Sequence, residues 1–188
     1  SAAEWAMHRL LAQYSARALR ESSARGDPSA RLAMIVLARR ALSSAYALAV
    51  SLDRRATLLS ATPGDPAAQL ALPLDDDEDE RQEDCAPSGL LAMPGFDDRR
   101  SECAWLQRLV TTARAAQGTE SKMTALTRLV RRVEEPVVVF TEFADTLERV
   151  AGALGTVRPV LRLHGGVDRP ARRVVLDRFA EGGPVVLA

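Results

Sequence analysis

The chain has 188 residues and equal numbers of basic and acidic side chains, 25 of each, so its formal net charge is zero. Hydrophobic residues make up 47% of the sequence, which allows a packed core and excludes a disordered chain. No apolar run approaches the roughly 18 residues that span a membrane, so we expect no membrane partner, and the first residues do not resemble a signal peptide. Cys85 and Cys103 fit neither a zinc finger nor a disulfide scaffold, and we expect a reducing, cytoplasmic location.

Residues 1–60 are predicted to form a mainly helical region. Apolar residues recur at helical spacing over 4–24 and again over roughly 29–60, and a Gly-Asp-Pro sequence separates the two stretches. We expect a kink or a split in the second stretch near Ser43-Ser44.

Residues 61–100 differ in composition from both flanks and are predicted to be a linker or an insertion. They contain three basic and eleven acidic side chains, half of the ten prolines, and an uninterrupted acidic run from Asp75 to Glu80. The simplest interpretation of the run is a solvated loop whose charges repel one another, and the alternative is a decoy that competes with nucleic acid for a basic surface. A magnesium-binding acidic box is not expected, because the run lies in a Pro-rich segment and not at the tip of a buried strand.

Residues 101–188 begin with two predicted helices, after which the pattern changes. Pro136 to Phe140 is a short, unbroken apolar run, which is typical of a buried parallel strand. The elements predicted after it are, in order, a helix over 143–154, a strand over 160–163, a helix over 169–180 and a strand over 185–188. The order strand-helix-strand-helix-strand predicts an α/β fold with half of a doubly wound parallel sheet, preceded by a mainly helical region.

Polar residues and glycines follow the first two predicted strands. Thr141 comes directly after the first strand, and His164-Gly165-Gly166 follow the second. In parallel α/β sheets ligands bind beyond the carboxyl ends of the strands, and glycine lets main-chain N–H groups approach a phosphate closely. These residues therefore predict an anion or nucleic-acid site, and the alternative is an ordinary tight turn, for which glycine is the usual residue.

The sequence offers few residues for catalysis. There is no Walker A motif, since the single lysine, Lys122, follows a serine and not a glycine, and no Ser/His/Asp or Cys/His set is recognisable. His164 could serve as a general base, but a histidine without an evident partner is more often structural, and His8 lies within a predicted helix. We therefore expect no catalytic residue and no metal site in this chain.

A set of motifs in the C-terminal half resembles a known protein family. In chain order the motifs are Ser121-Lys122-Met123, the segment VVVFTEFADTL from Val137 to Leu147, Leu163-His164-Gly165-Gly166, and then Arg172 and Phe179. Their order and spacing resemble the second motor lobe of superfamily-two helicases, and more narrowly that of the Swi/Snf-like ATPases and the bacterial RNA-polymerase-recycling branch. A weaker resemblance, over residues 39–46, is to the helical segment between the two motor lobes of bacterial members.

The resemblance implies a fragment of an ATP-dependent DNA translocase or helicase-like protein. Residues 1–60 would be the helical inter-lobe region, residues 61–100 an acidic, Pro-rich linker or insertion, and residues 101–188 the helices that lead into the first half of the C-terminal RecA-like lobe. This lobe would hold DNA, or RNA, by its backbone and close on ATP, and the helical N-terminal region would be the place for a protein partner.

The resemblance also assigns roles to individual residues. Thr141 and Gly165-Gly166 match positions that contact the nucleic-acid backbone or line its groove in relatives. His164 and Arg172 join them in the predicted nucleic-acid-binding set, although Arg172 matches an arginine whose role can be structural. The P-loop, the acidic magnesium box and the arginine-finger motif of the family are absent from this sequence. ATP and Mg²⁺ would therefore be bound by the full-length parent, and this chain alone should bind neither and should not hydrolyse ATP.

Two other functions fit the sequence. The first is a non-catalytic, helicase-derived module for protein interaction or regulation, which the acidic linker and the helical N-terminal region would suit. The second is a small-molecule enzyme with a nucleotide-sugar-type α/β fold that uses His164. A Walker A motif upstream and a GRxxR-like motif downstream in the parent gene would decide in favour of the motor.

The composition of residues 61–100 predicts the most mobile part of the chain, because proline, glycine and like charges occur there with little apolar periodicity. Limited proteolysis should therefore cut first within this range. Resistance of residues 61–100, together with cleavage inside residues 121–188, would contradict the prediction.

Overall fold

The computed structural model describes residues 1–60, 88–182 and 186–187. The chain divides into two units, Ser1–Thr119 and Glu120–Ala188. The described elements of the first unit are α1 (Ala2–Ala24), α2 (Ser29–Ser43), α3 (Ala45–Ser60), α4 (Ser88–Ala92), α5 (Arg99–Ala116) and a 3-10 turn (Gln117–Thr119). Those of the second unit are α6 (Ser121–Arg132), β1 (Val137–Val138), α7 (Ala144–Leu154), β2 (Val160–Leu161), α8 (Arg169–Ala180) and β3 (Val186–Leu187).

The fold class predicted from the sequence, an α/β fold with a partial RecA-like parallel sheet, was wrong. The chain is mainly helical, with 74% of it in helices. β1, β2 and β3 have two residues each, and they pair in parallel in the order β1-β3-β2. A strand continues only where a neighbour supplies hydrogen bonds, and β3 pairs over two positions, so the apolar run from Pro136 to Phe140 is a strand only at its centre. Most of the buried apolar side chains lie on helices instead.

The ends of the helices follow from the local sequence. Ser1 caps α1 through a capping box with Glu4, and Asp98 caps α5 by accepting hydrogen bonds from two backbone N–H groups of its first turn, at 3.0 and 3.3 Å. α2 and α3 are separate helices, which confirms the predicted split, because Ser44 is extended and its hydroxyl oxygen accepts from the Ala47 N–H at 3.0 Å. No helix within residues 1–60 or 88–182 is long and apolar enough to cross a membrane.

The core of the first unit is formed mainly by α1, α2, α3 and α5. α1 buries one side, whose residues recur at intervals of three or four: Met7, Leu11, Tyr14, Ala18 and Ser22. α5 packs against both α1 and α3. The sequence pattern groups α5 with the residues that follow it, in 101–188, whereas the structure packs this helix into the first unit.

The predicted linker over residues 61–100 lies only partly among the described residues. Residues 61–87, which include the acidic run from Asp75 to Glu80, lie outside them. Residues 88–100 pack against the helices of the first unit, and Leu91 and Phe96 are fully buried there. The second half of the predicted linker therefore belongs to the core of this unit.

Three polar side chains, Tyr14, Arg55 and Glu102, form a hydrogen-bonded cluster inside this core, and all three are fully buried. Arg55 Nη2 donates to Glu102 Oε1 at 2.7 Å, and Arg55 Nε donates to the Tyr14 hydroxyl at 2.8 Å. The Tyr14 hydroxyl in turn donates to Glu102 Oε1 at 2.6 Å. Because the three residues come from α1, α3 and α5, this buried polar cluster ties three helices together.

The buried polar cluster also holds the segment that follows α4. Arg55 donates to the backbone carbonyl oxygens of Leu91 and Met93, each at 2.8 Å. Glu102 Oε2 accepts from the backbone N–H groups of residues 95–96, at 2.9 and 3.1 Å. The irregular backbone between α4 and α5 thus finds its hydrogen-bond partners in two buried ions.

The same segment lies close to α1. A side chain at Gly95 would place its Cβ 2.9 Å from the Ala18 Cβ, so only glycine fits this approach. Two residues further on, the Asp97 N–H donates to Glu21 at 2.7 Å, and Arg17 Nε donates to the same carboxylate at 2.6 Å. These two hydrogen bonds, the one from Arg17 first, lower the pKa of the Glu21 carboxyl.

Breaking the buried polar cluster is expected to be costly. Removal of one partner of a buried ion pair leaves an uncompensated charge and typically costs about 3–5 kcal/mol. Burial raises the pKa of the Tyr14 hydroxyl above its ordinary value of 10.0, and the neighbouring Arg55 guanidinium opposes this only in part. The hydroxyl therefore stays protonated in the folded chain and keeps its role as a donor to Glu102.

The second unit has a smaller core. Its fully buried side chains from α6 and α7 include Val130, Leu147, Val150 and Leu154. α8 has no fully buried residue. Large apolar side chains remain exposed in this unit, most of all Phe140, which is 93% exposed.

Replacement of Tyr14 by Phe should lower the free energy of unfolding by about 1–3 kcal/mol at neutral pH, because Arg55 and Glu102 each lose a buried hydrogen bond. It should also remove a pH dependence. In the wild type the unfolded chain ionises Tyr14 above pH 10.0 whereas the folded chain does not, so the free energy of unfolding falls as the pH rises through that value. Denaturant unfolding between about pH 7 and about pH 11 measures both effects.

Tyr46, the second of the two tyrosines, provides the matched control because it is 38% exposed. Tyr46→Phe should keep the alkaline fall in stability and change the free energy of unfolding little at neutral pH. Parallel pH profiles for the wild type and Tyr14→Phe would show that the buried hydroxyl does not have the role given to it here.

Candidate nucleic-acid interface

The pairing of the strands sets where the predicted site residues begin. Val138 of β1 and Leu161 of β2 both pair with Leu187 of β3, so they lie level on its two sides. Thr141 follows Val138 by three residues, and His164 follows Leu161 by three residues. Because parallel strands end at the same edge, both connections leave from one edge, with β1 and β2 about 10 Å apart.

Thr141 lies in the short connection between β1 and α7. It is half-buried, and its hydroxyl is 3.5 Å from the carbonyl oxygen of Phe143, at the limit of a hydrogen bond. The same carbonyl accepts from the Thr146 and Leu147 N–H groups at 3.0 Å, and so begins α7. Thr141 therefore stands just before a helix N-terminus, where unpaired N–H groups and the helix dipole favour an anion.

His164, Gly165 and Gly166 lie in a tight turn after β2. The Val167 N–H donates to the His164 carbonyl oxygen at 3.1 Å and closes this turn. Neither glycine has a positive φ, so the backbone conformation does not require glycine at these positions. Space differs between the two, because a Cβ at Gly166 would lie 3.4 Å from the His164 ring and one at Gly165 would meet nothing within 4 Å.

Arg172 lies one turn into α8, the helix that follows this turn. Asp168 caps the helix by accepting from the Ala171 N–H at 2.8 Å, and the predicted bounds of the helix are confirmed. Arg172 is exposed but lies three and seven residues before Val175 and Phe179, on the half-buried side of α8. That position suits an arginine whose methylene groups cover apolar surface and whose guanidinium reaches solvent.

Other arginines near this edge were not singled out by the sequence analysis. Arg162 follows β2 directly and forms an ion pair with Glu148 at 3.0 Å. α8 contains four arginines and one acidic residue among its 12 residues, and the arginines are Arg169, Arg172, Arg173 and Arg178. The signal that could have found them is the density of arginine in α8, which the generally high arginine content of the chain obscured.

Lys122, which matches a lysine at the entrance to the family's lobe, lies in the first turn of α6. Just before it, Glu120 forms an ion pair with Arg149 of α7 at 3.6 Å. This pair fixes the start of α6 against α7. The pairing of β1 and β2 brings Thr141 and residues 164–166 to a common edge, and no such pairing includes Lys122.

The groups near the common edge are hydrogen-bond donors of three kinds. Thr141 offers a hydroxyl, the di-glycine offers backbone N–H groups, and α8 offers guanidinium groups. Donors of these kinds bind phosphate oxygens and carry no information about base sequence. Among the described residues, no group of three or more His, Cys, Asp and Glu side chains could hold a metal ion.

Comparison of the chain with protein-family models, with curated proteins and with solved structures found no match. The similarity to Swi/Snf-like ATPases therefore rests on the motifs in residues 121–188 alone. The nucleic-acid-binding roles of Thr141, His164, Gly165, Gly166 and Arg172 stay predictions.

Proposed function

We propose that the chain contributes a nucleic-acid backbone contact to an ATP-dependent DNA translocase or helicase-like protein. The observation that supports this best is the common edge of β1 and β2, beyond which Thr141 and residues 164–166 follow level strand positions at equal distances along the chain. The order of the family motifs in residues 121–188 supports the proposal from the sequence. The proposal concerns the contact and does not require a complete parallel sheet.

The proposed contact is made by neutral and positive donors. The Thr141 hydroxyl, the N–H groups of Gly165 and Gly166 and the Arg172 guanidinium each donate to phosphate oxygens. A strand of nucleic acid can approach the main chain closely at Gly165, because no atom lies within 4 Å of the place its Cβ would take. Such a contact is independent of base sequence and weakens as the salt concentration rises.

ATP and Mg²⁺ enter this proposal only through the full-length parent. Their binding would close the motor around the nucleic acid, and this chain would supply part of the grip. Without a Walker A motif the chain lacks the loop that positions the phosphates of ATP, so hydrolysis belongs to other parts of the parent. A cytoplasmic location is part of the same proposal, since it is where a bacterial translocase meets DNA.

A non-catalytic interaction module is the second candidate, and the helical architecture favours it. The first unit forms its own core from helices and holds no group that the nucleic-acid proposal uses. The two candidates differ in what they require at the common edge. The translocase needs donors that meet nucleic acid there, whereas the module needs only a stable turn.

Replacement of Gly166 by Val in the full-length parent should lower DNA-stimulated ATP hydrolysis about tenfold, which corresponds to ~1.4 kcal/mol or about one lost phosphate hydrogen bond. The added methyl groups would stand where a nucleic-acid backbone approaches the main chain. The fold should survive, because the nearest atoms belong to the exposed His164 ring, which can turn aside. ATP turnover with and without DNA over a series of salt concentrations measures the effect, and circular dichroism confirms folding.

Gly118→Val is the matched control for this experiment. A Cβ at Gly118 also meets nothing within 4 Å, and the residue belongs to the first unit, away from the predicted contact residues in the sequence. The control should keep wild-type stimulation by DNA. If folded Gly166→Val keeps it as well at every salt concentration, the di-glycine is an ordinary turn and the proposed contact is refuted.

The chain of residues 1–188 alone should hydrolyse no ATP above background, with or without DNA, because it lacks the phosphate-binding loop. Phosphate release from the purified chain measures this. A turnover that is stimulated by DNA, follows the chain through purification and disappears in His164→Ala or Thr141→Ala would contradict the expectation. It would favour an enzyme that works through His164 instead.

A further inference from the structure

α2 is apolar on two opposite sides. One side faces the core of the first unit and consists of Ala30, Ala33, Met34, Leu37 and Ala41, all buried. The other side carries Leu32, Ile35 and Leu42, which are 55%, 47% and 63% exposed. A surface helix normally has one apolar stripe and one polar face, so the second apolar side of α2 requires an explanation.

The exposed apolar side has the spacing of a helix–helix contact. Leu32, Ile35, Arg39 and Leu42 follow one another at intervals of three, four and three residues, and we call these four residues the α2 row. The α2 row is about 15 Å long, at 1.5 Å per residue. This three-four repeat is the one by which a second helix inserts its side chains between those of the first.

The charges on α2 are all positive. From Pro28 to Leu52 the sequence contains three arginines and no acidic residue. Arg40 is buried and donates to the Ala47 carbonyl oxygen at 3.1 Å, so it belongs to the core. Arg31 and Arg39 are exposed, Arg39 within the α2 row and Arg31 beside it. A partner that covers the row must therefore accept positive charge at its margin.

We propose that the α2 row is the docking surface for an acidic amphipathic helix of a partner protein. The apolar stripe of such a helix covers Leu32, Ile35 and Leu42, and its carboxylates meet Arg31 and Arg39. A second copy of the chain would bring arginine against arginine, which is unfavourable. Nucleic acid would leave the three apolar side chains uncovered. The small size of the row fits a weak, transient complex.

This proposal is independent of the translocase assignment. The α2 row lies in the first unit, and the residues proposed to contact nucleic acid lie in the second. A partner helix could dock on either of the candidate functions. The failure of one proposal therefore leaves the other unaffected.

The probe is a synthetic peptide of three heptads with Leu at the a and d positions and Glu at the e and g positions, labelled for fluorescence anisotropy. A matched peptide carries Lys in place of each Glu. The full chain should bind the Glu peptide at least about tenfold more tightly than the Lys peptide, a ratio equivalent to about 1.4 kcal/mol. Equal affinities for the two peptides, or binding of neither, would overturn the proposal.

Two variants of the chain locate the binding surface. Leu32→Ser combined with Ile35→Ser should weaken binding of the Glu peptide about tenfold or more, and the fold should persist because both side chains are exposed. Arg31→Glu combined with Arg39→Glu should reverse the preference, so that the Lys peptide binds more tightly. Val174→Ser combined with Leu176→Ser, on the exposed side of α8, is the matched control and should change neither.

Other occupants of the α2 row would give different results. If the Glu peptide binds only after deletion of residues 75–80, the acidic run of the chain itself covers the row and a partner protein is excluded. Self-association in sedimentation that is lost in the Leu32→Ser, Ile35→Ser variant would assign the row to a second copy. Binding to anionic lipid vesicles that is lost in the same variant would assign it to a membrane surface. Each of these three results overturns the proposal.

Discussion

The first unit depends on one buried ion pair, between Arg55 of α3 and Glu102 of α5. Both ions are fully buried, and their 2.7 Å hydrogen bond is supported by the Tyr14 hydroxyl and by backbone groups of residues 91–96. A buried ion is tolerable only when its hydrogen-bonding groups are satisfied, so each partner fixes the positions of the others. This constraint orders the backbone between α4 and α5 and sets how three helices meet.

The second unit is organised differently, because its strands are short and its core is small. Two paired residues per strand suffice to set a register, and the register alone brings Thr141 and His164 to a common edge. The surface around that edge combines donors for phosphate with exposed apolar groups such as Phe140 and Val174. α8 adds arginine without adding a fully buried residue. The chemistry of this unit therefore lies almost entirely on its surface.

The two proposed surfaces differ in the physics of recognition. The common edge of β1 and β2 offers hydrogen bonds and positive charge, so binding there would respond strongly to salt and little to sequence. The α2 row offers apolar area with positive charge at its margin, so apolar burial would supply most of the affinity and charge would select the partner. A protein that holds nucleic acid and recruits a partner helix needs both kinds of surface.

The sequence by itself determined the helices and the chemistry of the strand ends. The split at Ser44, the cap at Asp168 and the full extent of α8 follow from hydrogen bonds between residues a few positions apart, which the local sequence encodes. Only the tertiary structure decided how long the strands are, since a strand needs a partner that is distant in the chain. The same holds for the buried polar cluster, whose members are 41 and 88 residues apart, and for the side of α2 that stays exposed. Local propensity specifies a helix, but burial depends on which distant surface covers it.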